Sequence, residues 1–219
     1  MLQRSNNHFE IEDFNILHME KVANLIFRSY SEVNLVWNIL QCKREQAKTA
    51  ILRRLQRCLK DNLSHVAVQN NRVVACVISI DLKNLEDLLK DEAQQKLPEP
   101  FQYLSQVNRG FHDYMVQFNK EESHVKSSVM LFCAVEPEFQ QTLLFFNLVQ
   151  WNIDQMILSR YKKYFGIAGI QSRFMKLAKD KVSQLQTHSI NDKENKEINN
   201  YELGLLSYDL QPLLPRPSL

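Results

Sequence analysis

Residues 135–145, Val-Glu-Pro-Glu-Phe-Gln-Gln-Thr-Leu-Leu-Phe, decide how this chain is read. Immediately before them Ser128–Val135 is a nearly unbroken apolar run, as a strand covered on both faces requires. Pro137 ends that run, and a segment from about Gln140 to Arg160, rich in Leu, Phe, Trp151 and Met156, reads as a helix. A loop that carries a buried strand into a helix offers the helix's first N–H groups to an anion, and small residues there permit close approach. Here Leu143 and Phe145 occupy that place. With Leu144, Phe146 and Leu148 beside them they read as core residues of a buried helix, over which an anion would lose hydrogen bonds.

Working outward toward the N-terminus, Asn70-Asn71 separates two β-rich runs, His65–Gln69 and Arg72–Ile80, and suits a tight turn with positive φ. Before this hairpin, Met19, Val22, Ala23, Ile26, Phe27 and Tyr30 form one apolar helical stripe. Ala47, Ala50, Ile51, Leu55, Cys58 and Leu59 form another, with Lys and Arg on its outer face. Ser31–Cys42, which holds Glu32 and Trp37, is the irregular link between the two helices, and Phe9–Ile16 reads as a first strand. Residues 83–124 interrupt the strands with helical spacing broken at Pro98 and Pro100. Toward the C-terminus the chain predicts a strand at Tyr164–Ile170, a short helix at Gln171–Asp180, and strands at Lys181–Thr187 and Tyr201–Tyr208. A polar loop, Asn191–Asn200, joins the last two. Pro212, Pro215 and Pro217 leave 211–219 as an irregular tail after a single domain over 1–210. Strands alternating with helices predict an α/β fold: a mixed, mostly antiparallel twisted sheet of six to seven strands, with helices on both faces and a helical insert between strands three and four.

Val135, Pro137, Phe139 and Gln140 match the run V-x-P-x-[YF]-[QR]-x-x-G-x-[GA] that comes after the fourth strand in the GNAT superfamily of N-acetyltransferases, and the chain resembles that superfamily over residues 9–209. Leu143 and Phe145 stand where the run has its small residues. A loose similarity to the arylalkylamine-type enzymes rests on the insert, on Ser31-Glu32-Val33-Asn34, on Leu59–Val68 and on Ser207-Tyr208-Asp209. The resemblance implies an acetyl-CoA site between the fourth and fifth strands, formed by Ala134, Val135, Gln140, Gln141, Thr142, Leu143, Leu144 and Phe145 if a cofactor is bound. It implies Glu32 as the base that takes the amine proton. It also implies a hydroxyl on the helix after strand five as donor to the leaving thiolate, and there Phe174 has none while Ser172 does. Asp180-Lys181-Val182 replaces the Gly-Phe that usually ends that helix.

Composition narrows the alternatives. Net charge is +2 with 24% charged residues, so no field points to nucleic acid, and the basic residues of 43–60 alternate with Glu45 and Asp61 as on a solvated face. Only four glycines occur, against roughly fifteen at an average usage of about 7%. Cys42, Cys58, Cys76 and Cys133 form no C-x-x-C pair, and the six histidines have no metal-ligand spacing, so no metal is expected. No stretch reaches the roughly 18–20 apolar residues of a membrane span. A polar start without a signal core, together with reduced thiols, predicts an intracellular protein, cytoplasmic by default with an organelle as the alternative.

Two functions fit these features. In the first, the GNAT-like scaffold has lost ordinary acetyl-CoA binding and serves as a binding or structural subunit with a protein partner. In the second, it is an acetyl-CoA-dependent N-acetyltransferase of a small arylalkylamine. The discriminating feature is whether Leu143 and Phe145 fill the space between strands four and five or leave it open.

Overall fold

The apolar runs become one seven-stranded sheet in the computed structural model, which describes residues 9–33, 43–95, 97, 99–121, 125–140, 142–169, 183–190 and 201–210. The strands are β1 (Glu10–Asp13), β2 (His65–Gln69), β3 (Arg72–Asp81), β4 (Ser127–Val135), β5 (Lys163–Gly169), β6 (Ser183–Ile190) and β7 (Tyr201–Asp209). They lie in the order β1-β2-β3-β4-β5-β7-β6. All neighbours are antiparallel except β4 and β5, which run parallel. The β2–β3 hairpin turns where the two asparagines predict it, with φ of 50° at Asn70 and 60° at Asn71. Asparagine tolerates that left-handed conformation better than other side chains, which is why this pair can serve as a two-residue turn.

Helices cover both faces. On one lie α1 (Met19–Val33), α2 (Arg44–Cys58), α3 (Leu82–Ala93) and α4 (Glu99–Glu121); on the other lies α5 (Leu144–Leu158). The stripe foreseen for α1 is buried, with Val22, Ala23 and Ile26 fully inaccessible. Ala47, Ile51 and Leu55 of α2 join the same core. Leu144, Leu148 and Ile153 of α5 pack with Ala67, Val77 and Tyr164 in the second core. β3, between the two, is buried at eight of its ten positions.

α3 and α4 are the insert between β3 and β4. Asp81 caps α3, its Oδ1 accepting the Lys83 N–H at 2.9 Å. Arg54 of α2 donates to both oxygens of Glu92 on α3, at 2.6 and 2.9 Å, and Ser105 of α4 donates to the same carboxylate at 2.9 Å. Both charged side chains are buried, so the bidentate pairing meets a desolvation cost that either group alone would leave uncompensated.

Several boundaries differ from the sequence reading, among them the strand expected to end at Thr187, which runs on to Ile190. β1 stops at Asp13 because Asn15 accepts the Leu17 N–H at 2.9 Å and starts a 3-10 turn over Ile16–His18. α1 runs on to Val33. α5 begins at Leu144 rather than Gln140, because Pro137–Phe139 first makes a 3-10 turn. The helix expected at 171–180, the loop at 191–200 and the tail lie outside the described residues.

Candidate functional site

The parallel ladder between β4 and β5 is short. It pairs Ser127 with Lys163 and ends at Met130 with Gly166, although β4 continues to Val135 and β5 to Gly169. The cause is visible on the other edge of β4. There Met130 pairs with Ser79 and Phe132 with Ile78, so Leu131 is one residue too many. Such a bulge bends its strand and reverses the sidedness of the residues beyond it. Val129 and, past the bulge, Phe132 and Ala134 all face the α1 core, despite the change from odd to even numbering. β4 thus leaves β5 where it bulges, and the two strands part.

Past the bulge, one edge of β4 faces this gap. The Glu136 N–H bonds the Val74 carbonyl at 2.9 Å, and Cys133 lies opposite Val77. Alternation along an antiparallel ladder then turns the backbone groups of Val135 and Cys133 away from β3, toward the opening. The Cys133 N–H is met there by the Tyr30 hydroxyl of α1, at 3.5 Å. Burial holds the Tyr30 hydroxyl well above its usual range and lifts the Cys133 thiol to about 11, so both keep their protons at neutral pH. Sequence reasoning placed Tyr30 in an apolar core stripe; only its last atom, reaching a strand a hundred residues away, separates it from that reading.

Between the parted strands and α5 lies a cavity of about 50 Å³, bounded by Met130 and Cys133 of β4, Gly166 and Ile167 of β5, and Val149 and Ile153 of α5. Neither Leu143 nor Phe145 is among the residues that bound it. Leu143 is 71% exposed at the N-cap of α5, which corrects its reading as a core residue. Phe145 is half-buried against the α5 core and meets Phe146 edge-on at 5.6 Å. Leu144 between them is the residue that turns inward. Thr142 closes the loop: its hydroxyl accepts the Leu144 N–H at 3.2 Å and donates to the Phe139 carbonyl at 2.7 Å. Ala134 is buried in the sheet, Val135 is half-buried beside the gap, and Gln140 ends the 3-10 turn. Gln141 is outside the described residues.

The loop start carries charges that the sequence pattern did not single out. Glu136 is buried and is held by Arg28 of α1 and by Arg72 of β3, the latter at 3.0 Å, while Arg72 also reaches Glu138 at 2.9 Å. Arg28 and Glu136 are 108 residues apart, so no local pattern announces the pair. Under α5 a buried polar chain runs alongside the cavity. Tyr164 Oη is 2.9 Å from Ser79 Oγ and donates to Asn152 Oδ1 at 2.8 Å. The Asn152 amide reaches the Leu63 carbonyl at 2.7 Å and His65 Nδ1 at 2.8 Å. His65 Nε2 then faces Asp13 at 3.4 Å.

Glu32 lies in the last turn of α1, two residues beyond Tyr30, rather than in an irregular link. Its side chain, like the whole of Ser172, is outside the described residues. Among the described residues no cluster of His, Cys, Asp and Glu could hold a metal ion, and no helix is long and apolar enough to cross a membrane.

No family profile matches the chain, and no curated protein matches it. Solved structures do. Arylalkylamine N-acetyltransferase 2 from Aedes aegypti superposes with a TM-score of 0.73 at 10% identity, covering 94% of this chain and 100% of that one. The polyamine N-acetyltransferase of Drosophila melanogaster, which forms N-acetylagmatine, gives 0.67 at 12% identity over 92% and 100% of the two chains. A NatC complex bound to Gag peptide and CoA gives 0.52 at 10% identity over 93% and 99%. At such identities a likeness speaks of architecture alone, and that architecture is the GNAT acetyltransferase fold.

Proposed function

We propose that this chain is an acyl-CoA-dependent N-acyltransferase, and that the gap between β4 and β5 receives the thioester arm. One observation carries the reading: the two strands part at Met130 and Gly166, and the bulky loop residues stand outside the cavity that results. The residues present suit an acyl thioester, because the edge of β4 past the bulge turns the backbone of Cys133 and Val135 toward the gap and the adjoining cavity is lined largely by hydrocarbon. Acetyl-CoA bound there would supply an activated acyl carbon to an amine, the C–N bond forming as the C–S bond breaks.

Polarising the thioester carbonyl falls to the Cys133 N–H, which would exchange its 3.5 Å contact with the Tyr30 hydroxyl for the carbonyl oxygen, a role in which a fixed donor is worth several kcal/mol, about 10²–10³ in rate. Tyr30, protonated and next to that amide, is placed to give its proton to the departing thiolate, with Ser172 as the donor that the family resemblance suggests. Glu32, in the following part of α1, is the proposed base for the ammonium proton. Thr142, Leu143, Leu144 and Phe145 at the start of α5, with Ala134, Val135, Gln140 and Gln141, form the proposed cofactor contacts, the backbone rather than the side chains meeting the diphosphate. A small amine, aryl-alkyl or polyamine in character, is the proposed acceptor, in keeping with the names of the fold's relatives.

The other reading, a scaffold that binds a protein partner, is favoured by Leu143, Trp151 and Leu158. They are 71%, 44% and 75% exposed and recur every seven or eight residues, on one side of α5. Thermal unfolding with acetyl-CoA separates the two. A cofactor at about a hundred times its Kd adds about 2.7 kcal/mol to the native state. A rise of several degrees that Phe145→Glu abolishes supports the acyltransferase. No shift at millimolar acetyl-CoA selects the scaffold.

A further inference from the structure

We infer that the cavity at the closed end of the β4/β5 gap is an acyl-chain pocket, and that the thioester preferred here carries a straight chain longer than acetyl. This rests on the acyltransferase reading above and adds the class of acyl donor.

The cavity sits at the point where the strands meet, between the last ladder pair, Met130 and Gly166, and the helix that crosses beneath them. An arm lying along the open edge of β4 directs its far end toward that point. The walls are largely hydrocarbon or thioether, from Met130, Val149, Ile153, Phe165, Ile167 and Leu206, with the Cys133 thiol beside them. Tyr164 and Tyr208 also border the space, and the Tyr164 hydroxyl is engaged by Ser79 and Asn152. A pocket so lined holds no charged group to meet an amine or a phosphate, and its mostly apolar surface suits an alkyl chain.

Its size fixes the chain length. A space of about 10–15 Å³ on this measure admits one water-sized group. The 50 Å³ here therefore holds about three to five such groups, room for the two to four carbons that a butyryl to hexanoyl chain adds to acetyl. Gly166 is the determinant. A Cβ built there meets nothing within 4 Å, and the residue does not have positive φ, so the space over it is open for lack of a side chain and not for reasons of backbone.

The test is calorimetric titration of the full chain with CoA, acetyl-CoA, butyryl-CoA and hexanoyl-CoA. Each methylene buried is worth about 0.8 kcal/mol, or roughly fourfold in affinity. Butyryl-CoA is therefore expected to bind about fifteenfold more tightly than acetyl-CoA. Gly166→Val should bring that ratio close to one by filling the pocket. Ile153→Ala should move the optimum the other way, toward hexanoyl-CoA, so the two variants bracket the site even if one of them folds poorly. Acyl-CoAs that bind alike whatever their chain length overturn the pocket and leave the acyltransferase reading standing. An absence of binding by every CoA species overturns both.

Discussion

Tyr30 looks like any other member of an amphipathic stripe, yet it places a protonated hydroxyl against a backbone N–H that opens onto the gap. Tyr30→Phe keeps the ring, its edge contact with Phe132 and the packing of α1, and removes only that oxygen. The expected loss of stability is about 1 kcal/mol, the net value of one hydrogen bond. The expected loss of acyl transfer is about 100-fold or more, the contribution of a positioned proton donor. Steady-state kinetics beside a denaturation curve checks the pair; an activity loss no larger than the stability change accounts for removes Tyr30 from the chemistry. His65 carries a second residue-level consequence. Burial lowers its pKa from the ordinary 6.5, with Asp13 opposing only in part, while its Nδ1 faces the Asn152 amide. In the window below about 6.5 the unfolded chain takes up a proton that the native chain refuses. Stability from this group is therefore complete above that value and is lost as pH falls through the window. Urea midpoints should decline from about pH 7.5 to about pH 5.5, and His65→Gln should flatten the decline.

Among the elements, the insert α3–α4 depends on one buried ion pair to seat it on α2. Glu92→Ala leaves Arg54 buried without its carboxylate and strips Ser105 of its acceptor. The expected cost is about 3–5 kcal/mol by chemical denaturation, whereas Arg54→Met with Glu92→Leu should recover most of it. Additive single and double effects would mean that the two groups do not act as a pair. The start of α5 is held more lightly. Thr142→Ala removes the hydroxyl that accepts the Leu144 N–H, a hydrogen bond worth about 1 kcal/mol, and it should loosen the loop that the proposed cofactor contacts share.

For the molecule as a whole, the sheet divides two cores and β3 belongs to both. Opening any β3 amide requires separating it from neighbours on either edge and from helices on either face. Hydrogen exchange should consequently be slowest over Val74–Ile80 and much faster in β1, a short edge strand with exposed ends. Protection of β1 equal to that of β3 would show that the two cores do not unfold together around the central strand. The same division explains how the gap persists. β4 is secured to β3 along its length and to β5 only through Met130, so the sheet stays whole while one seam opens.

The order of strands and helices was legible because it rests on local chemistry: two-residue alternation, the spacing of Val22, Ala23 and Ile26, the asparagine pair at the hairpin, and proline at the end of β4. The run through Val135, Pro137, Phe139 and Gln140 carried the fold as well, and the solved relatives agree with it. Local sequence could not say which way Leu143 points. A large apolar residue is ordinarily buried, and here the 3-10 turn at Pro137–Phe139 shifts the helix start so that Leu144 takes the inward place instead. Nor could it announce the bulge at Leu131, the arrival of Tyr30 at Cys133, or the hold of Arg28 and Arg72 on Glu136. Periodicity and turn chemistry, which act over a few residues, were determined by the sequence alone. The gap, its lining and its donors join residues brought together only when seven strands close into one sheet, and tertiary structure decided those.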